Sequence, residues 1–238
     1  MLYISEVFQA IQAEGMLAGV PSMFIRLADP SLRCTWCEMP KITPWKLEGI
    51  DVYLGALLSN IRKQYVGHVV ITGGEPVSHP DIAELCAGLR EIEHHVTVET
   101  PGSAFREMKC DLLSITPKLR TSAPAKKSKA KGAKAEEPRY DIDAMRQLIQ
   151  ANGYQLKFLV RDRAEMEEVK QIVDEIQADR TRVLLVPAAS KPKDLRDQSE
   201  WIVEACKFFN FRYGQGLQSQ IAPPKPEPVV PVRQITWY

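Results

Sequence analysis

The sequence predicts an α/β domain in which helices cover a parallel sheet. Three observations carry this expectation. Short apolar runs recur along the chain, amphipathic helical patterns separate most of them, and the runs are continuous enough to be buried on both faces. The chain has 238 residues, 45% of them hydrophobic, which suffices to bury one large core.

Six runs read as strands: Ser22 to Leu27, His68 to Thr72, His95 to Thr100, Asp111 to Thr116, Tyr154 to Val160 and Arg182 to Val186. Between them, Val52 to Lys63 places Leu54, Leu57, Leu58 and Ile61 on one helical face. Asp81 to Ile92 does the same with Ile82, Leu85, Cys86 and Leu89. Asp141 to Gln150, Arg163 to Ile176 and Leu195 to Phe208 repeat the pattern. Six strand–helix units fit a partial barrel or an open doubly wound sheet, and the pattern leaves both open.

Two segments break the rhythm. Residues 119–138 hold the lysine-rich run from Lys126 to Lys134, which reads as a surface insertion. The alternative is an RNA-contacting arm, against which stand the acidic Glu136-Glu137 pair and the lack of aromatics. The run from Ala222 to Pro228 is proline-rich and excludes helix. The expected organisation is therefore a barrel-like domain over 1–221 and a tail over 222–238.

A net charge of +1 gives no bulk attraction to nucleic acid or membrane. No apolar run approaches the roughly 18 residues of a membrane span. Met1 to Glu6 lacks the basic start and apolar core of a signal peptide. The five cysteines, Cys34, Cys37, Cys86, Cys110 and Cys206, are odd in number and sparse, which suits a reducing cytoplasm.

Two motifs bear on chemistry. Cys34-Thr35-Trp36-Cys37 follows the first expected strand, where sites form in parallel α/β folds. Two thiolates at this spacing can share a metal or cluster, form a redox dithiol, or be half of a zinc site. The pair is also compatible with no chemical role. Thr72-Gly73-Gly74-Glu75-Pro76 follows the second strand; its glycines permit close approach of a ligand, and Glu75 offers a carboxylate suited to an ammonium group. A tight turn with a capping acid is the plainer reading.

A CxxC followed one unit later by GGEP resembles the radical S-adenosylmethionine superfamily. Further runs are similar to the 7-carboxy-7-deazaguanine synthase family: Gln12 to Gly15, Pro21 to Leu27, Leu32 to Cys37, Glu99 to Gly102, Cys110 to Leu119 and Tyr154 to Phe158. The likeness runs in order from about residue 3 to residue 213. It implies a partial (β/α)6 barrel with outer helices, usually a homodimer. It also implies a [4Fe–4S] cluster, S-adenosylmethionine, Mg2+ and a 6-carboxy-tetrahydropterin substrate on the way to queuosine. Carried over by position, Gln12, Glu14, Arg26 and Thr72 would touch the pterin. Gly74, Glu75, Thr116, Lys118 and Lys157 would surround S-adenosylmethionine, and Cys34 and Cys37 would ligate the cluster. A bidentate pair between Arg26 and a substrate carboxylate fits that assignment. The plainer readings are a strand-end surface charge for Arg26 and a snorkelling edge residue for Lys157.

The sequence also departs from the family pattern. Pro30 stands where the first cluster cysteine is expected; the adjacent Asp29 carries a carboxylate that can in principle bind iron, though hard oxygen matches it less well than thiolate. Glu38-Met39 replaces the Asp-Thr whose hydroxyl would meet Mg2+, and a thioether is a poor magnesium ligand. Ala13 replaces a glycine, and Gln218 falls where a histidine is expected. These changes spare the strands and helices. They point to a family member with impaired or altered radical chemistry that binds a nucleotide, pterin or protein partner. The alternative is an active synthase whose cluster is completed by a non-standard ligand.

Overall fold

The computed structural model describes residues 1–28, 49–120, 140–188, 192–214 and 216. The cysteine loop, the lysine-rich run and the proline-rich tail all lie outside these residues. Leu119, counted above with the insertion, is 3% exposed and belongs to the core.

One sheet organises the domain. Its strands are β1 (Leu2–Ile11), β2 (Pro21–Leu27), β3 (Ile50–Val52), β4 (His68–Gly73), β5 (His95–Thr100), β6 (Leu112–Ile115), β7 (Tyr154–Val160), β8 (Val183–Pro187) and β9 (Arg212–Tyr213). They lie in the order β3-β1-β2-β4-β5-β6-β7-β8-β9. From β2 to β9 every neighbouring pair is parallel, whereas β1 runs antiparallel to both β2 and β3. Among the described residues the two edge strands do not pair with each other, so the barrel described is partial. Helices α1 (Leu54–Ile61), α2 (Ile82–Glu91), α3 (Ile142–Ala151), α4 (Glu165–Glu175) and α5 (Pro192–Phe209) supply the outer layer.

The six expected strands are β2 and β4 to β8; β1, β3 and β9 are additions. Strand β1 escaped the pattern because Ser5, Glu6 and Gln9 interrupt its apolar run and a register shift between Ile4 and Glu6 breaks its period. That bulge keeps Ile4 and Val7 both in the core although they are three residues apart. Strands β3 and β9 have three and two residues, too short for any periodicity to show.

The parallel strands alternate more than their apolar content suggests. Met23, Ile25, Val69, Ile71, Val96, Val98, Leu113, Ile115, Leu156, Phe158 and Leu185 pack in one core with the helices. Intervening positions face the other, concave side of the sheet. There stand Ser22, Arg26, Thr72, Thr97, Glu99, Ser114, Gln155 and Lys157. A sheet with an apolar convex face and a polar concave face positions a site.

Candidate functional site

The concave face carries a row of polar side chains across five strands. Arg26 pairs in register with Thr72, and Glu99 with Ser114, which in turn pairs with Gln155. Thr72 and Glu99 are the next residues after the Ile71–Val98 pair, which joins the two halves of the row.

Arg26 is buried and forms an ion pair with Glu6 of β1. Its guanidinium also lies 5.5 Å from the centre of the Phe8 ring, which stacks on Phe24 at 5.1 Å. Glu6 Oε2 is buried with no partner among the described residues, so this pair retains one free acceptor inside the concavity.

Lys157 is 2% exposed and central in β7, which corrects its reading as a snorkelling edge residue. Its Nζ donates to Glu14 Oε1 at 2.7 Å and lies 3.6 Å from Glu99 Oε1. Burial works against its charge, but Glu99 and Glu14 outweigh it and hold the ammonium pKa above the usual lysine value. The two carboxylates remain about a third exposed, at 34% and 38%, so each can still meet a ligand.

Glu14 reaches Lys157 because the β1–β2 hairpin crosses the concave face. Gln155 Oε1 accepts from Met16 N at 2.7 Å, and Gln155 Nε2 donates to Ser114 Oγ at 2.9 Å. Gly15, at φ +88°, lies so close that a Cβ would meet Gln155 Nε2 at 2.5 Å. At the hairpin's base Gln12 Nε2 donates to Ser22 Oγ at 2.9 Å. Gln12 thus sits at the opposite end of β2 from Arg26.

At the C-terminal ends of the strands, Gly73 has φ +125°, and a Cβ there would stand 2.2 Å from Leu27 O. Only glycine lets β4 end so close to β2. Gly74 is exposed beside it, while Glu75 turns inward and is 2% exposed. Its carboxylate accepts from Thr100 Oγ1 at 2.7 Å, Ser103 Oγ at 2.7 Å and Val77 N at 3.2 Å. Burial raises its pKa, and these hydrogen bonds oppose the rise. In this arrangement the Glu75 side chain ties β4 to the loop after β5, and the glycine backbone forms the rim. After β6, Thr116 N donates to Thr100 O at 2.8 Å, and Lys118 is half-buried with no ion pair among the described residues.

The structure therefore gathers Glu14, Arg26, Thr72 and Lys157 on the concave face, with Gly74, Thr116 and Lys118 at its C-terminal rim. Cys34 and Cys37 lie outside the described residues. Sequence reasoning missed Glu6, Glu99, Ser114 and Gln155. The signal for Glu99, Ser114 and Gln155 was polar residues at alternate strand positions, as in His95, Thr97 and Glu99, or Gln155 and Lys157; Glu6 had none, because the bulge in β1 breaks its period.

A parallel partial barrel with a glycine rim after β4 and a polar concavity is the architecture of the radical S-adenosylmethionine class. The model of the Radical SAM superfamily matches residues 30–119. A 7-carboxy-7-deazaguanine synthase of Rhodopirellula baltica is 37% identical over 219 residues, covering 91% of this chain and 85% of the relative. One of Halobacterium salinarum is 32% identical over 238 residues, covering 95% and 92%. The chain belongs to the 7-carboxy-7-deazaguanine synthase family. The fold agrees: QueE from Escherichia coli superposes with a TM-score of 0.66 at 24% identity, covering 90% of this chain and 93% of that one. Streptococcus suis SuiB bound to S-adenosylmethionine shares the fold over 77% of this chain and 44% of its own, with a TM-score of 0.51. Radical SAM membership implies S-adenosylmethionine and a [4Fe–4S] cluster. Among the described residues no helix is long and apolar enough to cross a membrane.

Proposed function

We propose that this 7-carboxy-7-deazaguanine synthase-like protein binds a pterin- or deazapurine-like small molecule on its concave face, and that its radical chemistry is impaired or altered. The supporting observation is the Lys157–Glu14–Glu99 cluster facing the Arg26–Glu6 pair across one polar row. A pterin and a 7-deazaguanine both present an N–H and an amino group side by side, which a carboxylate accepts in bidentate fashion. Glu14 and Glu99 are suited to that edge. Arg26 suits the carboxylate substituent, with Gln12 and Thr72 as further polar contacts. At the rim, the Gly74 backbone, Thr116 and Lys118 suit the amino-acid end of S-adenosylmethionine. Glu75 braces that rim, and Lys157 acts through Glu14 and Glu99.

The donor set does not fit a cluster held by three cysteines. Cys34 and Cys37 supply two thiolates, and Pro30 has no ligating atom. Met39 likewise offers no oxygen to Mg2+. A second reading, an active synthase whose cluster is completed by Asp29 or another non-standard ligand, draws support from family membership over nine-tenths of the chain.

Isothermal titration with 6-carboxypterin and with S-adenosylmethionine, alongside an assay for 5′-deoxyadenosine under reducing anaerobic conditions, separates these readings. Pterin binding without 5′-deoxyadenosine is the expected result. Turnover supports the second reading, and absence of pterin binding overturns the ligand assignment.

The organisation proposed is a barrel domain over 1–221, with the lysine-rich insertion and the 222–238 tail as appendages. Homodimerisation follows from the resemblance, and RNA contact through Lys126 to Lys134 is the lesser proposal. The free, buried thiols of Cys86, Cys110 and Cys206 support a reducing cytoplasm.

A further inference from the structure

Among the described residues the β1–β2 hairpin has no sheet partner where it crosses the concave face. The sheet order separates β1 and β2 from β7 by three strands, β4, β5 and β6. Yet Met16 is hydrogen-bonded to a residue 139 positions away, and Glu14 to one 143 away. Both partners are on β7, two residues apart and on one face, and both are 2% exposed. Among the described residues, what holds the hairpin across the concavity is therefore a pair of side chains rather than a backbone ladder.

The two contacts differ in kind. Lys157 is a charge shared between Glu14 and Glu99. Gln155 is a shaped anchor. Its amide oxygen takes the backbone N–H of Met16, its amide nitrogen is oriented by Ser114 Oγ, and Gly15 lies against it where any side chain would collide. An amide buried this deeply has its donor and acceptor ends fixed by their partners. Gln155 thus determines where the hairpin backbone lies, one residue from Gly15 and two from Glu14.

We infer that Gln155 is a positioning residue of the site: by anchoring Met16 N it sets the place at which Glu14 meets the ligand. This rests on the reading that Glu14 contacts a pterin-like ligand. Gln155 itself does not touch the ligand in this scheme. Its contribution is to spare Glu14 the ordering cost of a free hairpin at the moment of binding.

The test uses the full chain and three variants. Gln155→Leu keeps the volume and removes the anchor. Gln155→Glu keeps an acceptor for Met16 N, and Ser114 can donate to its second oxygen. Gly15→Ala pushes the hairpin off from the other side. Two readouts are needed: amide hydrogen exchange over residues 11–20, and titration with 6-carboxypterin. Gln155→Leu and Gly15→Ala are expected to speed exchange at Met16 while helices α2 and α4 stay protected, and to weaken 6-carboxypterin binding by about tenfold or more. Gln155→Glu is expected to restore both to within about threefold. Faster exchange with unchanged affinity overturns the positioning role and leaves the ligand reading standing. No pterin binding by the unaltered chain overturns the ligand reading, and the inference falls with it.

Discussion

Lys157 on β7 and Glu14 in the β1–β2 hairpin meet at 2.7 Å across the concave face of the sheet, with Glu99 of β5 completing the cluster at 3.6 Å. The ammonium is the buried member and the carboxylates are the partly solvated ones. The cluster is therefore asymmetric. Removing the cation leaves two carboxylates that water still reaches, and Lys157→Met is expected to cost only about 1–2 kcal/mol. Changing both Glu14 and Glu99 to glutamine leaves a buried ammonium with no counter-charge, and is expected to cost about 3–5 kcal/mol. Urea denaturation of the two variants measures the order.

The same cluster fixes an alkaline limit. The folded-state pKa of Lys157 lies above its ordinary value of 10.5, so the folded protein holds this proton more tightly than the unfolded chain. Its contribution to stability is fully present below pH 10.5 and declines as pH rises through the folded-state value. Thermal melts from pH 10.5 upward are expected to show a steeper decline in the unaltered chain than in Lys157→Met, which keeps only the decline due to the buried Tyr140 and cysteine thiols.

An acid limit arises at the other end of the strands. His68 and His95 are register partners whose rings lie 4.7 Å apart, and both Nδ1 atoms are buried without partners among the described residues. Burial lowers the His68 pKa below 6.5, the neighbouring His95 lowers it further, and Asp111 opposes them. The unfolded chain therefore takes up this proton more readily, and stability falls as pH drops below about 6.5. His68→Phe keeps the ring packing and is expected to lose less stability between pH 7.5 and pH 5, measured by the shift in denaturation midpoint.

Thr100 donates to both oxygens of Glu75, at 2.7 and 2.9 Å, and thereby secures the turn after β4. Thr100→Val preserves shape and removes that donor from a buried carboxylate. The expected loss is about 1–3 kcal/mol, read by chemical denaturation.

How far the sequence revealed all this depends on the physics of each part. The six central strands were legible because buried parallel strands carry dense β-branched runs, as in Val69-Val70-Ile71. The rim was legible because Gly73 permits a backbone conformation and an approach to Leu27 that no other residue tolerates. The concave face was only partly legible. Glu14, Arg26 and Lys157 came from resemblance, but that Lys157 meets Glu14 is a long-range relationship with no local signature. Glu6 was hidden because a bulge broke the strand period just before it. Glu75 looked like a ligand for an ammonium group, and its acceptors are occupied by Thr100, Ser103 and Val77, none of which the motif itself identifies as donors.

The family scaffold persists in this chain while the cluster donor set is incomplete at Pro30. Iron and sulfide content per chain after anaerobic reconstitution tests it most directly, with Pro30→Cys prepared in parallel. The expected result is well under four irons in the unaltered chain and about four in Pro30→Cys, with the absorbance of a [4Fe–4S] centre only in the latter. About four irons in the unaltered chain, together with cleavage of S-adenosylmethionine, would contradict the account and require a ligand other than cysteine at that corner of the cluster.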